Sequence, residues 1–200
     1  MTRESTLEYA GFWRRFGAYW IDVLVLLPVM ALSYFLSGKS HLFYIYSLIP
    51  VALISAAFHI YLVYRYGGTP GKLALDTRIA MRDGSRITLR AATVRYSVLC
   101  VLSFASSLGV ALVALNLPDA QYVLLGFKER ALTMRGLAPN WGPIVTILMN
   151  VWIWSEFLTM MLNKRRRAVH DYMAGTVVIK TASQLSSNNS FKPKPLRGSA

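Results

Sequence analysis

Four long apolar blocks, at 16–36, 42–64, 91–117 and 144–162, are separated by shorter polar stretches. Each block approaches the ~20 residues that an α-helix, rising about 1.5 Å per residue, needs to cross some 30 Å of hydrocarbon. Four such blocks in one short chain predict membrane-spanning helices rather than a soluble helical core. The turn at 37–41 is short, so the first two spans form an antiparallel hairpin. Pro28 and Pro50 fall inside spans and predict kinks that neighbouring helices absorb. Trp13, Tyr19 and Trp20 suit the membrane–water boundary.

Between the second and third blocks the period changes. Gly67-Gly68-Thr69-Pro70-Gly71-Lys72 breaks the helix. Arg78-Ile79-Ala80-Met81-Arg82 and Arg86-Ile87-Thr88-Leu89 then flank Asp83-Gly84, two short runs around a turn dipeptide that predict a β-hairpin. The β-branched stretch 175–180 could add a third strand, since two strands alone are marginal. The fold class expected is an all-α membrane bundle of about four transmembrane helices with a small cytoplasmic β-hairpin or three-stranded sheet. In the third span Ser103 and Ser107, and Ala105 and Gly109, stand four apart, a spacing that permits close helix packing. The connection 117–141 is long, and 120–135 carries apolar residues at helical spacing, as a helix on the outer membrane face would. The domain plan is a cytoplasmic lead at 1–11, the transmembrane domain at 12–180, and a Ser-, Asn-, Pro- and Lys-rich tail at 181–200 that is expected to be disordered.

Composition supports the membrane reading: of 200 residues 54% are hydrophobic and 16% charged, against about 25% charged in soluble domains. The net charge of +13 would suit nucleic acid, but its distribution does not. Of the 22 Lys and Arg residues, 18 lie up to Arg15, from Arg65 to Arg95, or from Lys164 onward; four lie on the alternate side. That asymmetry is the positive-inside bias. It places both termini and the middle loop in the cytoplasm, where basic residues meet anionic headgroups at roughly 1 kcal/mol each. Arg14-Arg15 ahead of an apolar run imitates a twin-arginine signal. The run is too long, carries Asp22 and lacks a following Ala-x-Ala site, so it reads as a retained span.

Candidate chemistry is sparse. Cys100 cannot form an intrachain disulfide and reads as a small core hydrophobe. His41, His59 and His170 are far apart, and no metal or cofactor motif is present. No nucleotide loop, Ser-His-Asp set or HExxH motif argues for an enzyme. The informative group is Asp22, a carboxylate inside an apolar block, which costs about 2.5–3.5 kcal/mol on insertion scales. Counting helical rise, Asp22 lies roughly 10 Å, His59 roughly 9 Å and Glu156 roughly 12 Å from the cytoplasmic edge of their spans. Asn150 lies about two turns deeper in the fourth span. One reading is a cytoplasm-facing polar cavity that holds a cation or relays protons. The other is structural: Asp22 and Glu156 pair with His59, Asn150 or an arginine to hold the bundle. Arg15 and Asp22, seven apart, share a helix face without touching. His170-Asp171 follows a basic run and reads as structure, with Asp171 capping the segment after it or pairing with a basic residue.

Three segments taken together resemble the RDD family, named for one arginine and two aspartates. The first is Tyr9-Ala10-Gly11-Phe12-Trp13-Arg14-Arg15-Phe16-Gly17-Ala18, followed by Ile21-Asp22. The second is Gly68-Thr69-Pro70-Gly71-Lys72, with Asp83-Gly84 downstream. The third runs from Arg166-Arg167-Ala168-Val169-His170-Asp171 through Val178. The family pattern selects Arg15 over Arg14, then Asp22, then Asp171. Valine at 169 stands where leucine is more usual, and the 117–141 connection exceeds that of the simplest members. The resemblance implies a bacterial multi-pass protein of the cytoplasmic (inner) membrane, for which transport of ions or small ligands is the usual suggestion.

The candidate ion, proton or ligand site residues are therefore Arg15, Asp22, His59, Glu156 and Asp171, with no catalytic, cofactor or metal residues. The function expected is transport of a cation, proton or small ligand. The alternative is a non-transporting scaffold or partner subunit working through its cytoplasmic sheet and basic tail. Candidate partners are membrane lipids, further copies of the chain, and a monovalent cation or proton; nucleic acid is not among them.

Overall fold

The computed structural model describes residues 8–117, 122, 124–163 and 166–181. Four helices are long and apolar enough to cross a membrane: α1 (Phe12–Ser37), α2 (Phe43–Tyr66), α4 (Leu89–Leu115) and α6 (Gly142–Leu162). Between them lie the short helix α3 (Pro70–Ala74), strand β1 (Thr77–Met81) and helix α5 (Phe127–Gly136). Helix α7 (Val169–Ala174) and strand β2 (Thr176–Lys180) follow. The expected tail beyond Thr181 lies outside the described residues.

Local chemistry sets the breaks. Gly67 ends α2 at φ +81°, a left-handed residue that costs glycine nothing. Thr88 starts α4 by accepting a hydrogen bond from the Ala91 N–H at 3.1 Å. Within α2, Ala57–Tyr61 form a π-helical turn that carries His59. Such turns insert a residue into the helical ladder and rotate the side chains beyond it.

The sheet differs from the hairpin expected at 78–89. β1 pairs antiparallel with β2, with Thr77 opposite Lys180 and Met81 opposite Thr176. The second hairpin arm shrinks to one bridge, Ala80 to Arg86, because Thr88 is already committed to capping α4. On the far side of β2, Tyr9 bridges Ile179, and the Lys180 N–H donates to the Glu8 carbonyl at 2.9 Å. Two strands with a bridge on each side thus tie the start, middle and end of the described chain together. The result is the expected helical bundle with a small sheet.

The closely packed interior lies at this sheet end. Ala10, Val63, Ile79, Ile87, Ala91, Ala92 and Val178 form one apolar cluster. By contrast, few residues in the most apolar stretch of α1, α2 or α6 are buried, and about a fifth of those in α4, as helices that face lipid allow. Cys100 is exposed on α4, not a core residue; the positions this half of the helix buries are Ala91, Ala92 and Tyr96. Gly109 packs beneath Trp141, where an added Cβ would lie 3.2 Å from the ring. At the opposite end of the bundle the buried Tyr122 hydroxyl donates to the Ser37 carbonyl at 2.8 Å. The Arg130 guanidinium lies 4.8 Å above its ring. These contacts fasten α5 to the α1–α2 turn. Of the helix expected over 120–135 the structure forms the second part as α5, which starts at Phe127 after a break at 125–126; residues 118–121 and 123 lie outside the described set.

Candidate functional site

Asp171 is the fully buried centre of the sheet end. It is the third residue of α7, and one carboxylate oxygen accepts the Ala168 N–H at 3.0 Å, the position where a carboxylate satisfies an otherwise orphaned helix donor. That same oxygen accepts from Arg15 Nη1 of α1 at 3.2 Å. The other accepts from Arg95 Nη1 of α4 and from the Thr176 hydroxyl at 3.1 Å. Arg95 Nη1 also donates to Thr176 Oγ1 at 2.6 Å. Arg167 closes the outside, donating to the Thr176 carbonyl at 3.2 Å and to the Asp171 carbonyl at 2.9 Å. Its guanidinium lies 4.1 Å above the Tyr172 ring. Burial opposes ionisation of Asp171, but Arg95, His170 and Arg15 with the Ala168 N–H prevail and hold its carboxyl well below the usual carboxylate range.

Asp22 forms a second buried node, on the same face of α1 as Arg15. Its Oδ1 accepts the Gly71 N–H at 2.7 Å and its Oδ2 accepts the Thr69 hydroxyl at 2.5 Å. Both donors come from the loop at the start of α3, so the carboxylate pins that loop against α1. Lys72 Nζ reaches Thr69 Oγ1 at 3.4 Å. Burial pulls the Lys72 ammonium down to about 8; Asp22 opposes that shift, while Arg95 and Arg15 add to it. The Asp22 and Asp171 groups therefore feel one another across the end of the bundle.

The remaining two candidates take other partners. His59 stacks on Tyr96 of α4, ring centroids 4.9 Å apart and planes within 13°. Glu156 of α6 lies with Oε2 2.5 Å from His170 Nδ1, and its Oε1 accepts the His170 N–H at 3.1 Å. His170 Nε2 is 3.9 Å from Asp171 Oδ1. Burial, reinforced by Arg95, lowers the His170 pKa, with Asp171 and Glu156 opposing. Among the described residues no hydrogen bond or ion pair joins Asp22, His59 and Glu156 to one another. The structure thus draws Arg15, Asp171 and Glu156 into one chain of contacts through His170. Asp22 sits in its own node, and His59 is held by an aromatic ring. Asn150 is exposed and donates to the Thr146 carbonyl of its own helix at 2.8 Å, away from all of these.

Sequence reasoning missed Arg95, Thr69, Gly71, Arg167 and Thr176. Arg95 offered the same signal as Asp22, a charge inside an apolar block. The others are donors and acceptors of ordinary loops, and only the folded chain shows where they point.

The node makes a test possible. In Asp22→Asn one of two acceptor oxygens becomes a donor that faces an N–H or hydroxyl donor. The variant should lose about 1–3 kcal/mol of stability, read as a lower melting temperature of purified protein in detergent. A melting temperature equal to that of the parent would show that the carboxylate is not what holds the loop.

A bundle of four membrane-crossing helices, closed at one end by a buried arginine–aspartate cluster and a two-stranded sheet, defines a multi-pass membrane protein. The chain matches the RDD family over residues 9–175 and belongs to that family. No curated protein matches it.

Proposed function

We propose that this chain moves a proton, a monovalent cation or a small ligand across a bacterial cytoplasmic membrane, with its termini and sheet on the cytoplasmic side. The positive-inside charge asymmetry supports that orientation. The observation that carries the transport reading is the line Glu156–His170–Asp171. A neutral imidazole donates through one nitrogen and accepts through the other, so a histidine between two carboxylates is suited to passing a proton. Glu156 belongs to a membrane-crossing helix, and both of its carboxylate oxygens meet His170, Oε2 lying 2.5 Å from Nδ1 and Oε1 accepting the backbone N–H at 3.1 Å. The lowered pKa of His170 leaves the ring neutral at pH 7, the form that donates at one nitrogen and accepts at the other.

The test is proton flux into liposomes holding the purified protein under an imposed pH gradient. Glu156→Gln and His170→Gln should each cut flux roughly 100-fold, the scale at which positioned proton carriers act, while the folded fraction is retained. Wild-type flux per folded molecule in either variant would remove the relay.

A second reading rests on a separate observation. Every carboxylate oxygen of Asp22 and Asp171 is already hydrogen-bonded within the chain. Groups so fully engaged lock a structure, and a scaffold presenting its sheet and basic segments to a partner would need no more. Well-folded wild-type protein without flux would favour that reading.

A further inference from the structure

We propose that the sheet end binds a phosphate group in a cavity separate from the aspartate cluster. The cavity, about 320 Å³, lies where α2 ends and is lined by Arg65, Tyr66, Asp76, Arg78, Arg86 and Thr181, with Leu73 beneath. Three arginines line it, and among the described residues none of them makes an ion pair. Arg78 is the anchor: its Nε is buried and, among the described residues, has no hydrogen-bond partner. Buried donors of that kind are rare and costly unless something meets them. Arg65 and Arg86 are exposed at the rim, and Thr181 adds a hydroxyl.

The walls are fixed by the backbone. The Ile79 N–H donates to the Gly67 carbonyl at 2.6 Å, joining β1 to the end of α2. The Thr181 N–H donates to the Asp76 carbonyl at 2.9 Å, joining the end of β2 to the start of β1. The site is thus assembled by the same strand pairing that closes the bundle. Asp76 is the single carboxylate in the lining; against three arginines it leaves an excess of positive charge. Planar guanidiniums meet phosphate oxygens in paired hydrogen bonds, which makes arginine the natural residue for that group. Arg65 and Tyr66 are the last two residues of a membrane-crossing helix, so the cavity opens at headgroup level. The phosphate can therefore come from a phospholipid diester or from a phosphate in solution.

The full chain, purified in uncharged detergent, should be titrated separately with short-chain phosphatidylglycerol, read by native mass spectrometry, and with inorganic phosphate, read by calorimetry. A phosphate-free short-chain diacylglycerol serves as the lipid reference. Arg78→Gln and Arg86→Gln should each weaken binding about tenfold, the scale of a lost charged hydrogen bond. Asp76→Asn should tighten it, and Arg90→Gln, at an exposed position outside the lining, should leave it unchanged. Weakening confined to phosphatidylglycerol assigns a lipid headgroup; weakening confined to inorganic phosphate assigns a soluble ligand. Arg86 lies outside the buried core, so its variant tests the site even if Arg78→Gln fails to fold. Failure of phosphatidylglycerol to bind beyond the diacylglycerol level, together with no detectable binding of inorganic phosphate, overturns the proposal, as does full affinity in Arg86→Gln or an equal loss in Arg90→Gln.

Discussion

Asp171→Ala should abolish most of the folded protein. The substitution leaves the guanidiniums of Arg15 and Arg95 facing one another in a buried space with their shared carboxylate gone. Breaking a buried ion pair from one side costs about 3–5 kcal/mol, a large part of the 5–15 kcal/mol that holds an ordinary domain together. It also frees the Ala168 N–H and the Thr176 hydroxyl. Fluorescence-detected size exclusion and thermal melting in detergent would read the loss. Asp171→Asn, which keeps one acceptor for the Ala168 N–H, should fall between. Arg95→Ala combined with Asp171→Ala should cost less than the sum of the two, because the second change removes a charge the first has already stranded. Melting of Asp171→Ala at the parental temperature would show that the cluster holds nothing. The pH dependence follows from the depressed carboxyl. Its stabilisation is fully present above the unfolded value of about 3.9 and is lost as pH falls from there toward the folded value. The cluster should hold through neutral and mildly acidic pH, and Asp171→Ala should lack that acid-side slope.

The four spans are legible in the sequence because hydrophobic run length is a local property, and a membrane asks little more of a helix than that. Asp22 is legible for the same reason, as a charge where none belongs. What it binds is not legible: a backbone N–H at Gly71 and a hydroxyl at Thr69 leave no mark in composition. Arg95 is an instructive omission. It adds to the charge asymmetry of the 65–95 region, and that role hides its position within the third apolar block. Depth along separate helices places Asp22, His59 and Glu156 at one level, yet level says nothing about azimuth. The π-turn rotates α2 and sets His59 against Tyr96, while Glu156 turns to His170. The sheet shows a similar limit. Both strands of the Asp83-Gly84 hairpin have suitable residues, but Thr88 serves the helix that follows, and β2 takes the ladder along β1.

Gly71→Ala should be among the most damaging single-methyl additions this chain can receive. A Cβ at that position would fall inside the Ala18 carbonyl group of α1 and lie 2.9 Å from Asp22 Oδ1. The obstruction is backbone, so no rotamer change relieves it, and trimming the Ala18 side chain would not help. α3 would have to lift from α1, and the Gly71 N–H would leave Asp22. Overpacking costs about 1–3 kcal/mol, sometimes more, and a hydrogen bond to a charged acceptor contributes about 1.5–3 kcal/mol; together they predict a loss of about 3 kcal/mol or more. Gly136→Ala supplies the contrast. A Cβ there meets nothing within 4 Å, and alanine in place of helical glycine should stabilise by roughly 0.5–1 kcal/mol. Melting temperatures of the two variants, purified side by side, should move in opposite directions. A Gly71→Ala protein that purifies in parental yield and melts with the parent would mean that α1 and α3 do not touch as closely as the Asp22 node requires.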